Sequence, residues 1–126
     1  MHVPSDPVAR LETKKWAALA DGLIDAAIKI LLEKRRPADK FMFSAIEHQT
    51  KKIHLGLALA EEQLAHHFWC ANNTYSLADV TMVCFLSFMD LRLSDMPWRE
   101  TYPNVAKLTD YLNTQPMFAQ TMPYVS

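Results

Sequence analysis

The sequence predicts an all-α helical bundle, and three observations carry that prediction. Only two glycines occur in 126 residues, which leaves little material for hairpin turns or phosphate-cradling loops. Apolar residues recur at steps of three, four and seven over long stretches, the repeat of a helix with one face turned inward. Serine, aspartate and proline stand where helices start and stop.

The first helix opens at Ser5-Asp6-Pro7, an oxygen-bearing cap followed by a proline whose missing N–H costs nothing in a first turn. From Val8 to Arg36 no proline interrupts, and Leu11, Ala18, Leu19, Gly22, Leu23, Ala26, Ala27, Ile30 and Leu31 follow a period near 3.6. The helix stops at Lys34-Arg35-Arg36-Pro37, where positive charge meets the negative end of the helix dipole. A second helix is expected from Ser44-Ala45-Ile46-Glu47, which has the spacing of a capping box, and runs to about His67. Gly56 lies inside it at a cost of about 1 kcal/mol against alanine, so a neighbouring helix is expected to pass close by.

Ala71-Asn72-Asn73-Thr74 is turn-forming, and Ser76-Leu77-Ala78-Asp79 is again a capping box, with Tyr75 and Val80 spaced as a hydrophobic staple. The run Val80 to Met89 is apolar on every side, so other helices must wrap it. Asp90 to Trp98 breaks the pattern. Tyr102-Pro103-Asn104-Val105 then opens a shorter helix, with Val105, Leu108 and Leu112 inward, that ends near Thr114. The tail from Gln115 allows one more turn or two. No internal repeat or low-complexity linker divides the chain, so residues 1–126 are read as one domain.

Thirteen basic against fourteen acidic residues give a net charge of −1, without the basic footprint that holds nucleic acid or an anionic membrane. No apolar run is long enough to span a bilayer, no signal peptide follows Met1, and Cys70 and Cys84 form no CxxC pair. The expectation is a cytoplasmic protein with two reduced thiols, Cys84 packed in the core. His66, His67 and Cys70 invite a metal reading, but no second ligand pair is near and a histidine at a helix end complements the dipole, so no metal is expected. His48 and His54 are six apart, off the spacing of a helical zinc pair. Neither a phosphate loop nor a Ser/His/Asp arrangement is visible.

Four stretches in one order resemble the C-terminal domain of bacterial glutathione S-transferases: Asp6-Pro7-Val8-Ala9-Arg10 leading to Trp16 through Ala26; Arg35-Arg36-Pro37; Ser76-Leu77-Ala78-Asp79-Val80; and Trp98-Arg99 with Tyr102-Pro103-Asn104-Val105 and Gln115-Pro116-Met117-Phe118. The resemblance covers essentially the full length. It implies two long antiparallel helices, a buried core helix and shorter C-terminal helices. Ser76 and Asp79 inherit a structural role as the box that heads the core helix.

What the resemblance implies for function is half of an enzyme. Family members hold glutathione, the co-substrate, in a thioredoxin-like N-terminal domain, which would lie outside these residues, and this chain would contribute no catalytic residue. The helical half would supply the wall of the electrophile's pocket from Trp16, Leu19, Ala20 and Leu23, with Phe118 or Met122 possible additions; simple packing is the blander role for each. Asp21, beside Gly22, could face the interdomain cleft, the glutathione amine or a partner subunit, or else solvent. The implied partners are the thioredoxin-like domain and a second copy in a homodimer, formed through the two long helices. The alternative is a non-catalytic helical module of the same fold that docks proteins.

Overall fold

The computed structural model describes residues 6–71 and 75–115. The Ser5 cap, the 72–74 turn and the tail positions Phe118 and Met122 lie outside the described residues. Within them the chain forms four helices and no strand: α1 (Pro7–Lys34), α2 (Phe43–His66), α3 (Leu77–Arg92) and α4 (Pro103–Asn113). None is long and apolar enough to cross a membrane.

Asp6 caps α1, its carboxylate accepting from the Ala9 N–H at 3.1 Å, with Pro7 in the first turn. The helix ends at Lys34, at the start of the expected Lys34–Pro37 stop. Arg35 closes the last turn, and Arg36 instead returns to the Glu33 carboxylate at 3.3 Å. The same carboxylate accepts the Met42 N–H at 3.2 Å, so Glu33 sets both the exit from α1 and the entry to α2. The Ser44–Glu47 box is a correction. The helix begins at Phe43 with Met42 as its N-cap and no side-chain cap, which leaves Ser44 inside the first turn rather than ahead of it.

Helices α1 and α2 run antiparallel. Trp16 and Leu19 face Leu59 and Gln63, Leu23 meets Gly56, and Leu32 lies across from Ala45 and Gln49. Gly56 permits this contact, because a Cβ there would sit 2.5 Å from Leu23 Cδ2. The two helices therefore approach closely at that point, as the glycine foretold. Gly22 differs: it is exposed, and no described residue lies within 4 Å of where its Cβ would stand. Gly22→Ala should therefore stabilise the chain by about 0.5–1 kcal/mol through helix propensity alone, read as an upward shift of the urea midpoint.

Helix α3 is the core element. Met82, Val83, Phe85, Leu86 and Met89 are fully buried among Ala20, Ala26, Ala27 and Ile30 of α1, Ile53 and Leu57 of α2, and Val105 and Leu108 of α4. At its head the capping box is complete: the Ser76 hydroxyl accepts from Ala78 N–H, and the Asp79 carboxylate accepts from Ser76 N–H at 3.0 Å. Tyr75 and Val80, the expected staple pair, both join the core. Cys84 is half-buried against the core rather than within it, whereas Cys70 is fully buried.

The connection from α3 to α4 is pinned by side chains. Trp98 is buried and donates its indole N–H to Asp90 Oδ1 at 2.9 Å. Arg99 spans Asp90 at 3.1 Å and Asp110 at 2.8 Å, with its guanidinium over the Trp98 ring. Helix α4 has no capping side chain of its own. The Glu61 carboxylate reaches across from α2 and accepts from the N–H groups of Asn104 and Val105 at 2.9–3.0 Å.

Candidate functional site

The register set by Leu23 and Gly56 opens a cleft toward the N-terminal end of α1 and the C-terminal end of α2. Beyond the glycine the side chains grow larger, and a space of about 600 Å³ remains between the helices, lined by Lys15, Trp16, Ala18 and Leu19 on one side and Leu59, Glu62, Gln63, His66 and His67 on the other. That volume is ordinary for a small-molecule site. Its wall is apolar at Trp16, Leu19 and Leu59, with charge at the margins from Lys15 and Glu62.

Trp16 is held in place. Its ring is 6% exposed, its indole N–H donates to Glu12 Oε1 at 2.8 Å one turn earlier, and the Lys15 ammonium lies 5.8 Å from the ring centre. A ring held by its N–H at one edge and by a cation over one face keeps a defined orientation at the cleft. Leu19 is half-buried one turn later and completes that wall.

The other residues singled out from the sequence fall elsewhere. Ala20 and Leu23 turn inward: both are buried in the core, Ala20 beneath α3 and Leu23 in the groove at Gly56. Asp21 is exposed on the outer face of α1. Asp25, one turn on, pairs with Lys29 at 2.9 Å, an exposed contact worth little to stability. The structure thus brings Trp16 and Leu19 together at one cleft and separates Ala20, Leu23 and Asp21 from it. It adds Lys15, Leu59, Glu62, Gln63, His66 and His67. The signal that could have found the α2 residues was Gly56, whose partner Leu23 fixes which residues of two antiparallel helices face each other.

Ser76 and Asp79 are wholly buried and far from solvent chemistry. Besides Ser76, the Asp79 carboxylate accepts from the Cys70 N–H at 2.8 Å, so the box ties the α2–α3 connection to the core helix. Burial pushes the Asp79 carboxyl above the usual carboxylate range, against the lowering effect of hydrogen bonds from Cys70 and Ser76. Burial, and secondarily the Asp79 charge, pushes the Cys70 thiol far up; burial also raises Cys84. Both therefore stay protonated near neutrality and are poor nucleophiles. Among the described residues no group of three His, Cys, Asp or Glu side chains is placed to hold a metal ion.

Residues 15–110 match the family described as "Glutathione S-transferase, C-terminal domain". The chain belongs to that family. The helical domain of a glutathione S-transferase accordingly accounts for the four-helix order and the boxed core helix. The uncharacterized GST-like protein YibF of Escherichia coli K12 is 30% identical over 121 residues, covering 96% of this chain and 59% of YibF. A glutathione S-transferase from Methylobacillus flagellatus KT, solved with GSH bound, superposes with a TM-score of 0.89 at 35% identity, over 96% of this chain and 60% of that one. Elongation factor 1-gamma of Danio rerio is 25% identical over 114 residues, covering 90% of this chain and 26% of the factor. The chain thus spans about three fifths of the length of the bacterial relatives it matches.

Proposed function

We propose that this glutathione S-transferase domain forms the electrophile side of a glutathione-conjugating site, opposite a thioredoxin-like domain that holds glutathione. The observation that carries the reading is the cleft at Trp16 and Leu19, which lies on the part of α1 where the resemblance puts the electrophile wall. The solved relative with GSH bound supports glutathione as the co-substrate.

In such a reaction the glutathione sulfur, as thiolate, forms a bond to an electrophilic carbon, and a leaving group departs or a double bond is saturated. The rate comes from a lowered thiol pKa and from holding the two reactants in line. The second task falls to this domain. Trp16, Leu19 and Leu59 supply apolar contact for the electrophile's body, while Ala20 and Leu23 anchor α1 to the core behind them. Asp21, on the exposed side of α1, is assigned to the interdomain cleft, where its carboxylate would meet the glutathione amine. The exposed apolar side chains Ile28 and Leu32 on α1 and Leu55 on α2 support a homodimer through these helices. The setting we assign is the cytoplasm.

The test is conjugation of glutathione to 1-chloro-2,4-dinitrobenzene by the domain joined to a thioredoxin-like partner, followed by absorbance. Leu19→Ala should raise KM for the electrophile about fivefold to tenfold, as expected for about 1–1.4 kcal/mol of lost apolar contact, and leave KM for glutathione unchanged. Equal effects on both substrates, or none, would remove Leu19 from the pocket wall. A second reading, a non-catalytic docking module, is favoured by the similarity to elongation factor 1-gamma. It would be preferred if the joined protein failed to conjugate while the helical domain bound a protein partner.

A further inference from the structure

Trp16 gives the cleft part of its apolar wall on α1, and its indole N–H can only donate, so the buried ring needs one acceptor within reach. Long side chains on a helix lean back toward its N-terminus, over the residue four positions earlier. For Trp16 that residue is Glu12, whose Oε1 accepts from the indole N–H at 2.8 Å. We infer that Glu12 is a positioning residue for the electrophile: it stands outside the cleft and acts through Trp16, by fixing how the ring meets the space beside Leu19 and Leu59. The inference rests on the reading of that cleft as the electrophile side.

The two polar contacts on the ring are not equivalent. The Lys15 ammonium, 5.8 Å from the ring centre, is drawn to a face and can shift across it at little cost. The hydrogen bond to Glu12 is directional, joins a single atom at the ring's rim, and is strengthened by the negative charge of its acceptor. It therefore sets the rotation of the indole, which the cation does not. The turns that carry Glu12 are fixed in their own right, since Asp6 caps the start of α1 and the Thr13 hydroxyl donates to the Ala9 carbonyl at 3.1 Å.

Without this acceptor the buried donor has to find water or another oxygen, and the ring turns to do so. That turn changes the depth of an apolar wall which the electrophile must fit, while glutathione, assigned to the other domain, is untouched. A merely structural pair would behave otherwise. Side chains four apart on a helix stabilise it weakly, and alanine is at least as good a helix former as glutamate, so removing such a pair would leave the cleft as it was.

The test reads the ring and the reaction separately. In the 126-residue chain, the NMR signal of the Trp16 indole N–H should move upfield in Glu12→Ala and stay near its wild-type position in Glu12→Gln, whose amide oxygen can accept the same bond. In the joined protein of the conjugation assay, Glu12→Ala should raise KM for 1-chloro-2,4-dinitrobenzene about threefold to fivefold and leave KM for glutathione unchanged, and Glu12→Gln should restore the wild-type value. An indole signal that does not move in Glu12→Ala would overturn the inference. So would a moved signal with an unchanged electrophile KM in a protein where Leu19→Ala still raises it, or a failure of Glu12→Gln to restore KM, since charge rather than the hydrogen bond would then be at work. If Leu19→Ala has no effect, the reading of the cleft fails first and the inference falls with it.

Discussion

Replacing Asp79 with alanine is expected to remove about 3–5 kcal/mol of folding stability, because it strips the acceptor from two buried backbone donors at once and unmakes a helix cap. The N–H groups of Cys70 and Ser76 both end on this carboxylate, at 2.8 and 3.0 Å, and Asp79 is fully buried. Neither donor can turn to water instead. Against a typical total of about 5–15 kcal/mol, the loss should leave the variant partly unfolded at moderate temperature, as read by urea denaturation followed by tryptophan fluorescence. Asp79→Asn keeps one acceptor oxygen and should lose about half as much. The pH dependence has an unusual sign. Since burial raises this carboxyl in the folded chain, its contribution is fully present below the ordinary carboxylate pKa and is lost as pH rises through the raised value. The gap between wild type and Asp79→Ala should therefore be widest in acid.

Gly56→Val is expected to cost about 3 kcal/mol, the upper part of the usual range for overpacking a core. A Cβ alone would stand 2.5 Å from Leu23 Cδ2 and 3.1 Å from its Cγ. Leu23 is buried between α1 and α2 with little room to swing clear, so the two helices must separate locally. The double variant Gly56→Val with Leu23→Ala should recover part of the loss, since the smaller side chain vacates the space the valine needs. Differential scanning calorimetry of the two single variants and the pair measures that coupling directly. Additive losses would mean that the contact at Gly56 is not what joins α1 to α2.

The helical frame was legible because its signals are local. The Asp6-Pro7 start, the Ser76–Asp79 box and the all-apolar run that follows each act within a few residues, and each has its counterpart in the structure. The Ser44–Glu47 spacing misled for the same reason: a box signals a start only if nothing else decides the start first, and there Glu33, nine residues earlier than Met42, takes the entering N–H. Gly22 and Gly56 look alike in sequence, one exposed and one at a helix crossing, because periodicity does not say which face a neighbour will cover. The cleft was half legible. Trp16 and Leu19 came from the resemblance, but Leu59, Glu62 and His66 depend on the register between two helices, and so do the pairing of His54 with Tyr102 and the capping of α4 by Glu61.

That last contact gives α4 a conditional existence. An eleven-residue segment is too short to hold a helix by itself in water, and its opening amides are answered by a carboxylate more than forty positions back along the chain. The stability of α4 is therefore tied to that of α2, which must be helical for Glu61 to stand in the right place. Loosening the hairpin of long helices at that point would loosen α4 with it, so the two are expected to gain and lose order together.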